Sequence, residues 1–417
     1  PRLLLAMRMP VGDAPQGGVT STSTPTLPQE APPTVPIRQA GFVSVARHGH
    51  CAWWARTDDQ DKDPGVMCVW GGADVTAKEV WKLRLGGDGR QQRSQVLSTG
   101  DWPSPRECHS CVAITHGGST AQLIYGGIPD EDAITPLAGP ECSALGDAFL
   151  IDATLRWTRL KPTGLIPPAR GNHVAVALSS NRMFVFGGLG EDGVLLNDVA
   201  ILTMAASSNT PAQGWIDKAA CRWVIPVDGG TTRPTGRESH SAVFVPSKTG
   251  SSGMGEVWVF GGDTGESIQN DLYVYNVEAK RWRRVDQPSK VAWPAARSAH
   301  TANVVQVSAL RSAVCGFTSE PPADSLVMII FGGYGNDDEF LNDLWAYAFE
   351  TGTWTHLPLW HASAGVVPSP RCLHTCTEVD GRLLVFGGIT GPGEKHLNGE
   401  QFILLKPERE MTTVGTG

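Results

Sequence analysis

The sequence predicts an all-β fold, a propeller of six four-stranded antiparallel blades, on three observations. A glycine pair closes an apolar run at 71/72, 126/127, 187/188, 261/262, 332/333 and 387/388. An Arg-x-x-His precedes each pair: Arg47/His50, Arg106/His109, Arg170/His173, Arg237/His240, Arg297/His300 and Arg371/His374. An acid follows each pair and opens another short apolar run: Glu79, Asp147, Asp198, Asp271, Asp343 and Glu400. The order of these signals never changes, so the repeat is architecture before it is chemistry.

Each unit reads as four short strands, a to d. Strand a follows the Arg-x-x-His. Strand b is the apolar run that ends in the glycine pair, as in 184-FVFGG-188. The backbone must turn sharply there or pass close to a neighbour, which glycine permits; Gly72, Gly127, Gly188, Gly262, Gly333 and Gly388 hold that place. Strand c opens at the acid. Strand d opens in four units on a tryptophan, Trp157, Trp223, Trp282 or Trp354, a large apolar plate to lay between blades. One such sheet cannot bury both of its faces alone, whereas six packed radially can. Two units depart from the pattern. The first has no tryptophan at its strand d, placed around Gln91–Leu97, and the last ends near Leu405 with no tryptophan after it. An open blade leaves an unpaired edge, so an N-terminal strand, Arg2–Met9 or Thr34–Gln39, is expected to close the ring. The division that follows is an extension and linker over 1–40, rich in Pro, Gly, Ser and Thr, a propeller over 41–405 and a tail over 406–417.

The glycine pair, the downstream Asn-Asp-Leu-Tyr (270–273) or Asn-Asp-Leu-Trp (342–345), and the tryptophan of the last strand resemble the kelch-repeat family, within the galactose-oxidase-like propeller superfamily. The likeness runs over roughly 41–405. It implies a six-bladed kelch β-propeller acting as a non-catalytic scaffold or adaptor, here without a BTB segment. In kelch adaptors, arginines near the Arg-x-x-His position line a pocket for acidic peptides or C-terminal tails. That makes Arg47, Arg106, Arg170, Arg237, Arg297 and Arg371 candidate partner-binding residues, through the planar fork that arginine offers a carboxylate. The competing expectation is structural: each arginine pairs with an acid of the blades, and His50, His109, His173, His240, His300 and His374 bond to backbone. Sixfold repetition favours the second, because few ligands are sixfold symmetric.

Composition narrows the function classes. The 417 residues carry a formal charge of -8, which gives no basic surface for nucleic acid. No apolar run approaches the roughly 18 residues of a membrane span. The opening Pro1–Met7 is too short for a signal sequence. The nine cysteines are odd in number and lack disulfide-scaffold spacing, so reduced thiols and a cytoplasmic location are expected.

The motifs that hint at metals weaken when aligned. Cys108-x-x-Cys111 and the Cys372/Cys376 pair flank motif histidines, as zinc ligands do. Yet two residues after the motif histidine the units carry Ala52, Cys111, Ala175, Ala242, Ala302 and Cys376, one cramped place for a small side chain. The acidic run 58-DDQDKDPG-65 lacks the glycine and glutamate of a calcium loop. No G-x-S-x-G or H-E-x-x-H is present. No cofactor, metal or catalytic residue is expected, and a metal-dependent enzyme is the weakest reading.

Strands alternate in direction, so a–b and c–d loops share one end of the ring, and b–c loops and d–a connectors share the other. Four of five long connections fall on the first end: Arg56–Gly65, Val245–Gly255, Ala309–Ser325 and Thr203–Cys221; Pro129–Leu145 is on the second. Rigid scaffolds place function on such loops. On the second end the segment 189-LGEDGVLL-196 varies from blade to blade, so Glu191 and Asp192 join the candidate partner contacts. The expected partners are other proteins or peptides. A substrate receptor of a ubiquitin ligase, reading a peptide carboxylate at an arginine-lined mouth, and a docking subunit of a larger complex are the alternatives.

Overall fold

Short strands turned inward and outward by alternation make blades whose two faces are both apolar, and the computed structural model shows such blades. It describes residues 47–404 except 56–64, 73–78, 86–90, 117–118, 130–143, 206–219, 228–229, 249–253, 289–290, 311–321, 323, 358–367, 380–381, 392–394 and 397–399. These residues belong to one compact unit, Ala46–Gly417. The proposed N-terminal closing strand, the acidic run near 58 and most of the five long connections lie outside the described residues.

Blade 1 comprises Cys51–Ala55, Val66–Trp70, Glu79–Leu85 and Gln91–Leu97, in that order. Blade 2 comprises Ser110–His116, Ser119–Tyr125, Ala148–Ile151 and Arg156–Arg159, and blade 3 Val174–Ser179, Arg182–Phe186, Val199–Met204 and Cys221–Val224. Blade 4 runs through Ser241–Pro246, Gly255–Asp263, Ile268–Asn276 and Arg281–Val285, and blade 5 through Thr301–Gln306, Leu326–Tyr334, Phe340–Ala348 and Thr353–Leu357. Six such blades were expected. The described residues form five, and the last repeat is a three-stranded sheet, Thr375–Val379, Arg382–Phe386 and Glu400–Leu404. Among the described residues that sheet has no fourth strand.

Two circuits of backbone hydrogen bonds tie the repeats together, and both pass through the last repeat. In the inner circuit Gly49 donates to Leu373, Cys108 to Gly49, Asn172 to Cys108, Ser239 to Asn172, Ala299 to Ser239 and Leu373 to Ala299, at 2.7–3.2 Å. In the second, the amide of the second glycine of each pair donates to the carbonyl of the next repeat's arginine: Gly72 to Arg106, Gly127 to Arg170, Gly188 to Arg237, Gly262 to Arg297, Gly333 to Arg371 and Gly388 to Arg47, at 2.8–3.0 Å. The glycine pair therefore serves the contact between blades as well as the turn.

The apolar core lies between blades. Residues of one strand alternate between neighbours, as the period of two requires. Leu123 and Tyr125 of blade 2 pack with Met183, Val185 and Trp223 of blade 3. Ile124, one step along, packs with Cys68 and Trp70 of blade 1. Phe184 and Phe186 face Val257, Tyr275 and Trp282 of blade 4. This is why strand b reads as a continuous apolar run, with both faces covered. Each strand d tryptophan leans on the aromatic that ends strand b of the preceding blade: Trp157 on Trp70 at 4.8 Å, Trp223 on Tyr125 at 4.9 Å, Trp282 on Phe186 at 4.8 Å and Trp354 on Phe260 at 5.1 Å.

One element is not visible in the repeat grammar. In blades 2 and 3 the connector that leads into the blade adds a short fifth strand, parallel to strand d. Thr99 and Gly100 pair with Arg156 and Trp157, and Thr163 and Gly164 with Arg222 and Trp223.

Candidate functional site

The six arginines come first, because the sequence offers them as either ligand-binding or structural. All six are buried, at most 2% exposed. In four of the six, the aspartate that opens strand c of the same blade meets the guanidinium in a two-pronged fork: Arg170 with Asp198 at 2.9 and 2.8 Å, Arg237 with Asp271 at 2.6 and 3.1 Å, Arg297 with Asp343 at 2.7 and 2.8 Å, and Arg106 with Asp147 at 2.5 and 3.2 Å. A further bond runs from Nη1 of each arginine to the carbonyl of the first glycine of its own pair, as from Arg47 to Gly71 and Arg371 to Gly387. Burial alone works to raise the Asp343 carboxyl, but the Arg297 hydrogen bonds and charge outweigh it and hold it below its ordinary range. Burial brings Arg47 and Arg371 down to about 10, so both stay charged at neutral pH. The guanidinium forks thus point into the protein's own blades.

The motif histidines bridge neighbouring repeats. Each imidazole stands edge-on to the aromatic ending strand b of the preceding repeat, for example His109 on Trp70 and His374 on Phe331, with centroids 4.9–5.6 Å apart. In four of them Nε2 meets a hydroxyl at the start of the neighbouring strand a: His50 with Thr375, His173 with Ser110, His300 with Ser241 and His374 with Thr301, at 2.7–3.1 Å. The equivalent places beside His109 and His240 are Cys51 and Val174, and these two imidazoles make no side-chain hydrogen bond. Burial, reinforced by the adjacent arginine charge, pushes His109, His240 and His374 down to about 3 and the other three well below the ordinary value. All six are neutral at physiological pH.

This has a measurable consequence. The unfolded chain protonates its histidines as pH falls through about 6.5, while the native chain resists until near 3. The unfolded state therefore binds more protons in that window, and native stability is full above it and lost on acidification. Each buried histidine is expected to contribute about 1 kcal/mol of lost stability per pH unit. Urea midpoints taken from pH 7.5 to 4.5 should hold steady at first and then fall steeply; a flat profile would contradict the buried neutral ring.

At the end of the ring where the inner strands begin, the histidines and the residue before each of them line a central pit of about 140 Å³. Those preceding residues are Gly49, Cys108, Asn172, Ser239, Ala299 and Leu373. All adopt left-handed backbone, with φ between 52 and 62°. The five that are not glycine hold a conformation that bulky side chains disfavour, and they hold it because their amides and carbonyls form the inner hydrogen-bond circuit. Sequence reading missed this set. The conformation repeats but the residue type does not, so only the x immediately before each histidine marks it.

The exposed large apolar side chains among the described residues lie away from this pit, in the segments that the topology assigns to the d–a and b–c side. Leu97, Trp102, Leu165, Ile166, Val224, Val227 and Val291 lie at strand d ends or in d–a connectors, and Val194 lies in a b–c loop. Val227 is 87% exposed and Leu97 71%. Glu191 and Asp192 are exposed in the same b–c turn as Val194, whose amide the Asp192 carboxylate accepts at 3.1 Å. The described cysteines, Cys108, Cys111, Cys372 and Cys376 among them, are free thiols. Among the described residues no three His, Cys, Asp or Glu side chains gather as metal ligands, and no helix is long and apolar enough to cross a membrane.

Comparison with known proteins agrees with this geometry. The family model described as the KLHDC2/KLHL20/DRC7 Kelch-repeats domain matches residues 122–322 and 312–407. Kelch domain-containing protein 2 of Bos taurus is 27% identical over 58% of this chain and 53% of its own length. Kelch domain-containing protein 1 of Mus musculus is 24% identical over 84% of this chain and 77% of its own. Host cell factor 2 of Homo sapiens is 27% identical over 64% of this chain. The matched region spans about half of the first of these relatives and 30% of host cell factor 2. The solved structure of YjhT superposes with a TM-score of 0.53 at 14% identity, covering 87% of this chain and 96% of that one, a likeness of fold alone.

Proposed function

The chain belongs to the kelch-repeat family, and from that premise we propose that it is a non-catalytic protein-binding module whose partner sits on the end of the ring formed by b–c loops and d–a connectors. One observation carries the reading. Every large apolar side chain exposed among the described residues lies at a strand d end, in a d–a connector or in a b–c loop. Exposed apolar surface collected on one side is the physical mark of an interaction site, and Glu191 and Asp192 supply polar contacts at its margin.

The same geometry moves partner contact away from the arginines. A peptide carboxylate captured at Arg106, Arg170, Arg237 or Arg297 would have to displace the blade's own aspartate from a buried fork, so we assign these arginines to holding the blades and the variable side chains of this end to recognition. Imidazoles that are neutral and occupied with their neighbours favour binding over acid–base chemistry. The free thiols favour a reducing compartment such as the cytoplasm. A scaffold or adaptor role within a larger assembly follows from the same surface.

The test is a capture experiment with the intact chain and the double variant Ile166→Glu/Val227→Glu. Both residues are exposed, at 55% and 87%, so the melting temperature should move by less than about 2 °C. Loss of the partner recovered by the intact chain supports the reading. Undiminished recovery by the variant places recognition elsewhere.

A further inference from the structure

In blades 2 and 3 the connector that enters the blade takes the same backbone course beside strand d. Thr99 pairs with Arg156 and Gly100 with Trp157; Thr163 pairs with Arg222 and Gly164 with Trp223. The next amide donates to the tryptophan carbonyl in both, from Asp101 to Trp157 at 3.2 Å and from Leu165 to Trp223 at 3.3 Å. Threonine beside arginine is common to the two blades. The pair that follows on the same face differs: Asp101 beside Thr158 in blade 2, Leu165 beside Val224 in blade 3. One backbone accepts either pair, so the fold does not require the apolar one. Leu165 is nevertheless 63% exposed and Val224 43%.

In paired strands, residues in register share a face, and so do residues two apart. Thr163 and Leu165 of the connector thus stand with Arg222 and Val224 of strand d, and Lys161 continues the row. Cys221 and Trp223, on the other face, turn to the core. The face is sorted along its length. Exposed Lys161 and Arg222 hold one end, and Leu165 and Val224 the other, with exposed Ile166 and Val227 following them in the chain. Lys161 and Leu165 are about 13 Å apart along the strand. The edge of the connector is closed to strand addition, because Pro162, Pro167 and Pro168 bracket Thr163–Ile166 and have no amide to donate. A partner therefore docks here through side chains.

We propose that this face of blade 3 docks an amphipathic helix of a partner protein, its large apolar side chains on Leu165 and Val224 and its acidic residues on Arg222 and Lys161. The proposal rests on the reading that partners bind at the b–c and d–a end, and narrows it to one blade and one chemistry. Charge complementarity selects the partner. The chain carries -8 overall, so an acidic segment is drawn to places where exposed cations gather. A helix rises about 5.4 Å per turn, so acids one to two turns from the apolar anchors reach the cations. The anchors supply affinity, and the cations set the direction of the helix and speed its encounter.

The probe is a phage-displayed library of random peptides of about four helical turns, selected on the full-length protein. Selected sequences are expected to carry Asp or Glu about four to eight residues from a pair of large apolar residues spaced i, i+3 or i, i+4. The strongest is synthesised and titrated by fluorescence anisotropy. Leu165→Asp with Val224→Thr writes the blade 2 pair into blade 3, and should weaken binding about tenfold or more. Lys161→Glu with Arg222→Glu should weaken it about tenfold and flatten its dependence on salt between about 50 and 300 mM NaCl. Circular dichroism melting verifies the fold of both. Leu97→Glu, in the connector entering blade 2, is the control and should bind normally. Binding lost with Leu97→Glu but kept by both blade 3 variants overturns the proposal and leaves the wider end-face reading standing. Binding indifferent to all three variants overturns the proposal and counts against that reading too. A selection that yields no binder, or binders without acids, overturns the proposal.

Discussion

Replacing Arg237 by methionine is expected to destabilise the propeller by about 3–5 kcal/mol. The reason is the partner left behind. Asp271 is the least exposed of the four fork carboxylates, with a side chain 10% accessible, and it would be left without its cation in a site built around one. The substitution also strips the Gly261 carbonyl of its donor at 2.9 Å, so a turn between blades loses an anchor together with the charge. Urea denaturation should show the midpoint falling with an unchanged slope. A second variant separates the two contributions. Arg237→Met with Asp271→Leu removes both charges and should recover a large part of the loss, since a buried ion pair replaced as a whole is often close to neutral. A protein that melts normally with Arg237→Met would show that the fork is not structural, and would restore the arginine to the list of candidate ligand groups.

Gly262→Ala is the second large effect, about 3 kcal/mol or more. The added Cβ would lie 2.7 Å from Cβ of His240 and 2.8 Å from the Glu238 carbonyl oxygen, contacts that real side chains do not make. Neither neighbour can retreat cheaply. His240 is wedged against Phe186 at 5.2 Å, and Glu238 is bridged to Asp263 on both sides of the peptide. Left-handed strain of about 1–2 kcal/mol adds to the overpacking. Gly193→Ala is the control, because its φ of 74° imposes similar strain in open space, with nothing within 4 Å. The expected loss there is only the conformational share. Equal melting temperatures for the two variants would mean that the close approach of blades at Gly262 carries no stability.

These two predictions show where the repeat motif acts. Arginine, glycine pair and acid are far apart in the sequence, yet they form one device: the guanidinium grips the aspartate and the glycine carbonyl of its own blade, while its own carbonyl receives the glycine amide of the preceding blade. Repetition revealed the members, and their constant order implied a common role. It did not reveal that the guanidinium is sealed from solvent, because arginine in a motif reads the same whether its fork meets an internal aspartate or a ligand. The histidines posed the same ambiguity. The sequence expectation sent them to backbone, and His109, His173 and His240 do have backbone contacts of that kind, while four of the six meet a hydroxyl one blade away. The residue after each motif histidine marks which: Ser110, Ser241, Thr301 and Thr375 carry the hydroxyl, and Cys51 and Val174 do not.

What the sequence by itself determined is the blade: four strands, the glycine-pair turn, the tryptophan plate and the order in which they recur. Those follow from alternation and backbone freedom, which are local properties. Tertiary structure decided the rest. Among the described residues, five four-stranded blades and a three-stranded last sheet stand where six blades were expected, because strand count in a ring depends on which distant segments pair. The pit wall emerged only in three dimensions, since six left-handed residues of unlike type are held by bonds to one another across blades.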